Sequence, residues 1–467
     1  MIADLKPYSE YRESCLSWLG KVPEHWKTER AKWLFAKMAR PVRAEDEVVT
    51  CFRDGTVTLR KNRRLRGFTE ATVEHGYQGI RKGDLVIHGM DAFAGAIGVS
   101  DSDGKGTPVY NVCQPSEGVN ARYYAHLIRV MSQSQWILAL AKGIRERSTD
   151  FRFETFGNQR VTLPPPDEQA AIVRFLNWTN GQLEKAIRAK RKVISLLNEQ
   201  KQVIIHRTVT RGLDPSVSFK PSGISWLGDI PEHWDVRKLK FEMRFCGGGT
   251  PSKGNLSYWQ GSIPWVSPKD MKTEIIRDTI DHITERAVEQ SSTNLVSAGS
   301  LLMVVRSGIL QRTIPVAKTI CEVALNQDMK SLTSKGRLDL DYFALFIRGC
   351  EKQLLREWTK QGATVESIEH HYLSNTKVPI PPIQEQKHII EQVVVEIAPI
   401  TTAISRFERE IELLREYRTR LVADVVTGKL DVREAAAKLP VEAMSDLSDN
   451  DSVDALEDEP FEEEALV

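Results

Sequence analysis

The sequence has no long apolar run. Its longest uninterrupted stretches, Trp136 to Ala141 and Tyr342 to Ile347, count six residues each, against the roughly 20 that a membrane-spanning helix needs. Met1 to Gly20 carries Asp4, Lys6, Glu10, Arg12 and Glu13 where a signal peptide would be apolar. The six cysteines (Cys15, Cys51, Cys113, Cys246, Cys321, Cys350) form no C-x-x-C pair, which speaks against a disulfide framework or zinc site and for free thiols in a reducing compartment. These absences lead us to expect a cytoplasmic protein that does not enter the membrane.

Basic residues are missing from the C-terminal end. After Lys438 there are eleven acidic residues and no Lys or Arg, so the near-neutral total (64 basic, 63 acidic) hides a body of 64 basic against 52 acidic residues, or +12. A basic body is compatible with a polyanionic partner such as nucleic acid. The acidic end is low in aromatics and is expected to be disordered. With 467 residues, 41% of them hydrophobic and 27% charged, the rest has material for about three domain-sized units.

What is present, above all, is repetition. Ser17 to Trp26 reads SWLGKVPEHW and Ser225 to Trp234 reads SWLGDIPEHW, eight identities in ten at an offset of 208. Leu163 to Val173 (LPPPDEQAAIV) returns as Ile380 to Ile390 (IPPIQEQKHII) at an offset of 217. Both motifs recur in the same order, so the architecture is duplicated. Between them Gly83-Asp-Leu-Val-Ile87 matches Gly299-Ser-Leu-Leu-Met303.

After each Pro-rich motif comes a long helix. From Ile390 the positions Val393, Ile397, Ile400, Ile404, Phe407, Ile411, Leu414, Arg418, Leu421 and Val425 follow the alternating three-four spacing of a coiled coil, with Arg418 as the break. The first copy reads Val173, Leu176, Asn180, Leu183, Ile187, Lys190, Ile194, Leu197, Lys201, Ile204 and Thr208. Prolines open both helices and Gly212 and Gly428 close them. Antiparallel pairing is the simplest geometry, since each helix leads out of a different variable domain. The order of motifs also puts the two chain termini close together.

The variable segments mix strand-like runs (Val48 to Phe52, Asp84 to His88, Leu301 to Val305) with an amphipathic helix (Ala121 to Ala141; Asp341 to Trp358). The expected fold class is α+β, with two such domains in pseudo-twofold duplication joined by the two long helices. The divisions are an N-terminal segment 1–26, a domain at 27–161, a helix at 162–212, a linker and repeated W-L-G box at 213–234, a domain at 235–378, a helix at 379–431 and an acidic, disordered tail at 432–467.

The duplicated W-L-G-x-x-P-x-H-W entry, the P-P-x-x-E-Q helix start and the run Gly247-Gly-Gly-Thr-Pro-Ser-Lys253 continuing to Tyr258-Trp-Gln-Gly-Ser-Ile-Pro-Trp265 resemble the specificity subunits of type I restriction-modification systems over about Leu16 to Val432. Arg306-Ser-Gly308 and Asn326-Gln-Asp-Met-Lys330 look like further motifs of that family's target-recognition domain. The first domain has Asp54-Gly55, Met90-Asp91 and Gly95-Ala-Ile-Gly98 instead, which resembles another subtype and implies a different sequence read. The resemblance implies a non-catalytic reader of double-stranded DNA. Each domain would take one half of a gapped target, with the helices as spacer and docking platform for two adenine-methylating modification subunits. Restriction subunits are a further implied partner. S-adenosylmethionine would sit on the modification subunit and no cofactor on this chain.

Candidate DNA contacts are the cluster Arg60, Lys61, Arg63, Arg64 and Arg66, for phosphate, and Lys253, Lys269, Arg306 and Arg312, for phosphate or guanine edges. The glycines at 247–249 would let backbone approach DNA closely. Candidate coiled-coil and docking positions are Leu183, Ile187, Ile194, Leu197, Ile204, Ile400, Ile404, Phe407, Ile411, Leu414 and Leu421. Trp18, Trp26, Trp226 and Trp234 read as structural anchors, and Glu168-Gln169 and Glu385-Gln386 as helix-start residues near the positive dipole end. His370-His371 lacks partner ligands, so no metal site is expected. No G-x-x-x-x-G-K-[ST] loop and no Asn- or Asp-Pro-Pro-aromatic motif is present, which disfavours catalysis. A coiled-coil scaffold without DNA recognition and a stand-alone DNA-modifying enzyme remain the alternative readings.

Overall fold

The structure is a computed structural model that describes residues 5–63, 75–141, 150–359 and 366–440. The chain divides into two compact units, one of residues 1–190 and 409–467, the other of residues 191–408. Each mixes helices and strands.

In the first unit, β1 (Tyr11–Leu16) and β2 (Leu19–Pro23) form a hairpin around the W-L-G box. Strand β3 (Lys27–Arg30) and the one-turn helix α1 (Ala31–Leu34) follow. Strands β4 (Phe35–Lys37), β5 (Leu85–His88), β6 (Ile97–Val99) and β7 (Tyr110–Pro115) make an antiparallel sheet of order β4–β7–β5–β6. In β5, alternate residues serve two cores, as a period of two demands. Leu85 and Ile87 face the cluster of Tyr123, Tyr124 and Leu127 from helix α2 (Ala121–Gln133), while Val86 packs with Val49, Ile80 and Val112. Strand β8 (Arg160–Leu163) then pairs with β3 and delivers the chain to the long helix α3 (Pro166–Arg211).

The second unit starts and ends with like elements but has two larger sheets. Its W-L-G box is followed by β9 (Asp235–Lys238), the one-turn helix α4 (Leu239–Glu242) and β10 (Met243–Gly247). Then come β11 (Trp259–Val266), β12 (Ile275–Ile276), β13 (Asp281–Ile283), β14 (Leu295–Val296), β15 (Leu301–Val304), β16 (Val316–Thr319), β17 (Val323–Leu325) and β18 (Met329–Ser334). They make sheets of order β10–β18–β15–β16–β12 and β13–β11–β17–β14. Leu301 and Met303 of β15 face Tyr342, Phe343 and Phe346 of helix α5 (Leu340–Gly349), and Leu302 and Val304 face Val323, Leu325 and Met329. Strand β19 (Lys377–Ile380) pairs with β9 and opens into helix α6 (Ile383–Val426).

The two amphipathic helices are shorter than their sequence pattern. The first stops at Gln133 and a separate turn covers Trp136–Leu140, because Gln135 adopts φ +60. The second breaks at Cys350 before Glu351–Trp358. The long helices keep their expected ends. At 46 and 44 residues they are about 69 and 66 Å long at ~1.5 Å per residue, and Pro399 lies inside α6 without ending it. In the first unit Glu184 pairs with Arg418 (3.1 Å) and Lys190 with Glu410 (2.5 Å); in the second, Arg207 faces Glu396 (3.7 Å). In the first unit rising numbers on α3 meet falling numbers on α6, and in the second Arg207 faces Glu396 while Gly212 lies beside Glu385, so within each unit the helices run antiparallel. Leu183, Ile187, Ile400, Ile404, Ile411 and Leu421 are buried, and Ile194, Leu197, Ile204, Phe407 and Leu414 half-buried, while Leu196, Val203, Val395 and Leu413 beside them are exposed.

Beyond Gly428 the first unit gathers both ends of the described chain. The Asp431 N–H donates to the Lys6 carbonyl (2.8 Å) and the Tyr11 hydroxyl to the Lys429 carbonyl (3.1 Å). Helix α7 (Arg433–Ala437) follows, with Val432, Ala436 and Leu439 buried and the Leu439 carbonyl held by Arg174 (2.6 Å). The start of the segment expected to be disordered from residue 432 is therefore folded, because its apolar positions precede the acidic run, which starts at Glu442. Residues 441–467 lie outside the described residues.

The two repeated motifs meet in each unit. In the first, the Glu168 carboxylate accepts from the Trp26 indole (2.9 Å) and the Tyr8 hydroxyl and contacts His25 Nε2 (2.8 Å). In the second, Glu385 accepts from the Trp234 indole (3.0 Å) and contacts His233 Nε2 (2.8 Å). The neighbouring glutamines act alike. Gln169 accepts from the Asn120 N–H (2.8 Å) and donates to the Pro164 carbonyl (2.8 Å); Gln386 does so with Asp339 (2.7 Å) and Pro381 (2.8 Å). Each tryptophan also abuts the glycine ending the other long helix. A Cβ on Gly428 would lie 3.0 Å from Trp26, and one on Gly212 3.2 Å from Trp234.

Glu168→Ala should leave the Trp26 and Tyr8 donors unpaired in the core and cost about 3 kcal/mol. Glu385→Ala should cost about 1 kcal/mol, because the Glu385 side chain is 25% exposed against 4% for Glu168 and water can replace it. Urea unfolding followed by tryptophan fluorescence measures both.

Candidate nucleic-acid interface

Three sequence runs of the second unit converge on one surface. Strand β15 leads through Val305 to Arg306, and β17 runs into Asn326-Gln327-Asp328. The Val305 and Arg306 N–H groups donate to the Asp328 carbonyl (2.8 and 3.2 Å), and Arg306 Nε donates to Asp328 Oδ1 (2.6 Å). The Asn326 side chain accepts from the Asp328 N–H (2.7 Å), which fixes the turn. Against it lies the Gly247–Gly249 run. The Gly249 N–H donates to the Leu325 carbonyl (2.8 Å), its own carbonyl accepts from the Trp265 indole (3.1 Å), and the Thr250 hydroxyl donates to the Gln327 side-chain oxygen.

Two of the three glycines are needed for packing within the chain. A Cβ on Gly248 would lie 2.1 Å from the Asn326 carbonyl oxygen and 2.4 Å from that of Leu325, and one on Gly249 2.6 Å from Ser292. They let the chain's own backbones touch. Only Gly247 is open, with nothing within 4 Å.

The cations named from sequence fall into two groups. Lys253, on the turn before Asn255, Lys269, on the capped turn Pro268–Asp270, and Arg312, after the turn Gly308–Gln311, are exposed. Among the described residues these three make no ion pair. In the first unit Lys61 pairs with Glu47 (2.5 Å), Arg63 pairs with Asp54 (2.7 Å) and lies over the Phe52 ring, and Arg60 Nε reaches Thr50 (3.4 Å). Arg64 and Arg66 lie outside the described residues.

The first unit builds a different surface at the same place. At the end of β5 Met90 is 45% exposed, where the second unit has Arg306. Asp91 accepts from Arg53 (3.1 Å) and stands near His88 (3.6 Å). A Cβ on Gly98 would lie 2.0 Å from the Gly55 carbonyl oxygen, so Asp54-Gly55 and Gly95–Gly98 again pack backbone on backbone. Burial holds the His88 imidazole below its ordinary pKa, with Asp91 opposing.

His370 lies beside this surface. Its ring stands 5.4 Å from Phe245, and burial, with Lys330 and His371 nearby, lowers its pKa. The His-His pair was weighed only as a metal ligand, although its place next to the Arg306 strand comes from the bond of the Ile368 N–H to the Val305 carbonyl (2.7 Å). Among the described residues no three His, Cys, Asp or Glu side chains stand together as a metal site, and no helix is long and apolar enough to cross a membrane.

This converging surface lies within the segment that comparison with known proteins identifies. Residues 231–406 match the family described as the type I restriction modification DNA specificity domain. The chain is 34% identical over 263 residues to the type I restriction enzyme EcoR124I/EcoR124II specificity subunit of Escherichia coli, over 55% of this chain and 60% of that one. It is 30% identical over 167 residues to the type I restriction enzyme MjaIX specificity subunit of Methanocaldococcus jannaschii, over 35% and 38%. These matches span less than two thirds of either relative. A chain from a structure titled for complex assembly and conformational transition of the type I restriction-modification system superposes with a TM-score of 0.64 at 14% identity, covering 88% of this chain and 99% of that one. These matches agree with the resemblance read from the motifs, and the fold shared with that chain extends well beyond residues 231–406.

Gly248→Ala should force the loop off Asn326 and lower stability by about 2 kcal/mol, while Gly247→Ala should stay within about 0.5 kcal/mol of the parent. Calorimetric unfolding of the two variants separates the packing role from a role at an open surface.

Proposed function

We propose that this chain is the DNA sequence-specificity subunit of a type I restriction-modification complex. It is non-catalytic. Each unit reads one half of a bipartite, gapped target in double-stranded DNA, and the two long helices act as a pseudo-twofold, antiparallel spacer and as the platform on which two adenine-methyltransferase subunits dock. Those subunits carry S-adenosylmethionine, restriction subunits join the same complex, and the assembly works in the cytoplasm.

The observation that carries this reading is the doubled junction of Glu168 with Trp26 and Glu385 with Trp234, which seats two domains on two long helices in the same way while their surface loops differ. Constant seating with divergent loops is what two readers of different half-sites on one frame require. A stiff spacer then selects half-site separation, as dimeric readers do at about 34–36 Å per helical turn. Lys253, Lys269 and Arg312 are suited to phosphate; Gln327 carries the amide type that pairs with adenine edges. The scaffold alternative leaves these loops without a purpose, and no methyltransferase motif supports the enzyme alternative.

Modified-base sequencing of host DNA tests the proposal. A gapped motif with methyladenine in each half should be present with the gene intact and vanish when it is deleted; unchanged methylation in a strain that expresses the modification subunit would contradict it. In the assembled complex, Lys253→Ala should weaken binding to all DNA sequences alike and reduce the salt slope by about 1. Gln327→Ala should instead relax discrimination at one base pair by about 1–3 kcal/mol. Titrations of matched and single-mismatch duplexes at several salt concentrations distinguish the two.

A further inference from the structure

Two large aromatic side chains stand in solvent at the same place in both units. Trp33 is 67% exposed and Phe241 61%, and their offset of 208 is that of the W-L-G box. Each is the third residue of its one-turn helix, α1 or α4, whose first and fourth residues are buried: Ala31 and Leu34, Leu239 and Glu242. Each follows a lysine whose ammonium lies over the ring, Lys32 at 5.6 Å and Lys240 at 5.5 Å. The backbone is braced identically, the Ser116 N–H donating to the Leu34 carbonyl (2.9 Å) and the Lys335 N–H to the Glu242 carbonyl (2.8 Å). Beside Trp33 is a groove of about 430 Å³ lined by Lys27, Gly118, Leu163, Pro164 and Pro165.

A single exposed aromatic is ordinary. Two at one repeat position, each on a rigid turn next to the junction with the long helices, are a surface made twice. We infer that Trp33 and Phe241 are equivalent docking points, one per unit, for two copies of one protein partner, whose matching face is an apolar pocket rimmed by carboxylates. Charge fixes the rim: Lys32 and Lys240 lie over the two rings, and Lys27, with Glu117 as the one carboxylate, lines the groove beside Trp33. Copy number follows from the duplication. DNA is the poorer occupant, because the loops that differ between the units (Gly247–Gly249 against Asp54-Gly55, Arg306 against Met90) vary as base-reading elements must, whereas the Lys-aromatic pair does not.

This inference rests on the proposed function, under which the partner present in two copies is the modification subunit. The full chain is co-expressed with that subunit and the complex weighed by native mass spectrometry. The parent should carry two copies, Trp33→Ala and Phe241→Ala one each at the same concentration, and the double variant none, each lost site weakened at least tenfold. Lys32→Glu and Lys240→Glu should weaken the same sites in turn. Both aromatics are exposed, so the thermal unfolding midpoints should match the parent. Two copies on every variant, with per-site affinity within twofold of the parent, would overturn the inference and leave the proposed function standing. A parent that takes no copies would overturn both. Variants that keep two copies but lose affinity for DNA would assign the aromatics to DNA and likewise refute the docking role.

Discussion

A carboxylate at the mouth of each long helix is the interaction on which the rest of this molecule depends. Glu168 is almost fully buried, and a buried carboxylate is tolerated only when its oxygens are satisfied. Here the satisfying groups are the indole of Trp26, the hydroxyl of Tyr8 and the imidazole of His25, with the positive end of α3 beneath them. The same indole leans on Gly428, at the end of α6. One side chain therefore ties the start of one helix to the end of the other, and the second unit repeats the tie with Trp234, Glu385 and Gly212. The W-L-G-x-x-P-x-H-W and P-P-x-x-E-Q motifs are the two halves of a single contact, which is why they recur together.

From that contact outward each unit separates frame from surface. The central strands β5 and β15 are buried on both faces, so each position has a fixed assignment: Leu85 and Ile87, or Leu301 and Met303, belong to the helix side, and Val86, or Leu302 and Val304, to the small strand layer. A one-residue slip would exchange the two cores. The loops leaving these strands then start from fixed points, and their chemistry can change without moving the frame. Met90 in one unit and Arg306 in the other stand on equivalent stems and share nothing else.

The frame was legible in the sequence because its signals are periodic or repeated. The ends of the long helices lie within two residues of the positions marked by prolines and glycines, and the strand runs at 84–88 and 301–305 were read nearly to the residue. What escaped were features set by contacts distant in sequence. The break at Gln135 comes from one left-handed residue that no pattern announces. Gly248 and Gly249 looked like an opening toward a ligand, yet their small size is demanded by Leu325, Asn326 and Ser292, some 40 to 80 residues away. Five cations in seven residues at 60–66 read as phosphate contacts, and Lys61 and Arg63 form ion pairs with Glu47 and Asp54, partners whose places no local count supplies. The exposed Trp33 and Phe241 were hidden for the opposite reason, since a sequence records an aromatic residue without saying which way it faces.

The two junctions differ in one respect, and chain connectivity explains it. In the second unit, α3 passes through Gly212 and a short linker to the W-L-G box, so covalent bonds already hold Trp234 near the helix end it must touch. Its carboxylate manages with an indole and an imidazole and stays a quarter exposed. In the first unit the corresponding helix end, at Gly428, and the W-L-G box at 17–26 are more than 400 residues apart along the chain, and bringing them together carries the entropy cost of a long closure. The extra groups found there address that cost. The backbone of Asp431 bonds to Lys6, the Tyr11 hydroxyl to Lys429, Arg433 lies over the Tyr8 ring, and Tyr8 completes the shell of Glu168. Noncovalent contacts supply at this junction what the peptide chain supplies at the other, and the deeper burial of Glu168 follows from them.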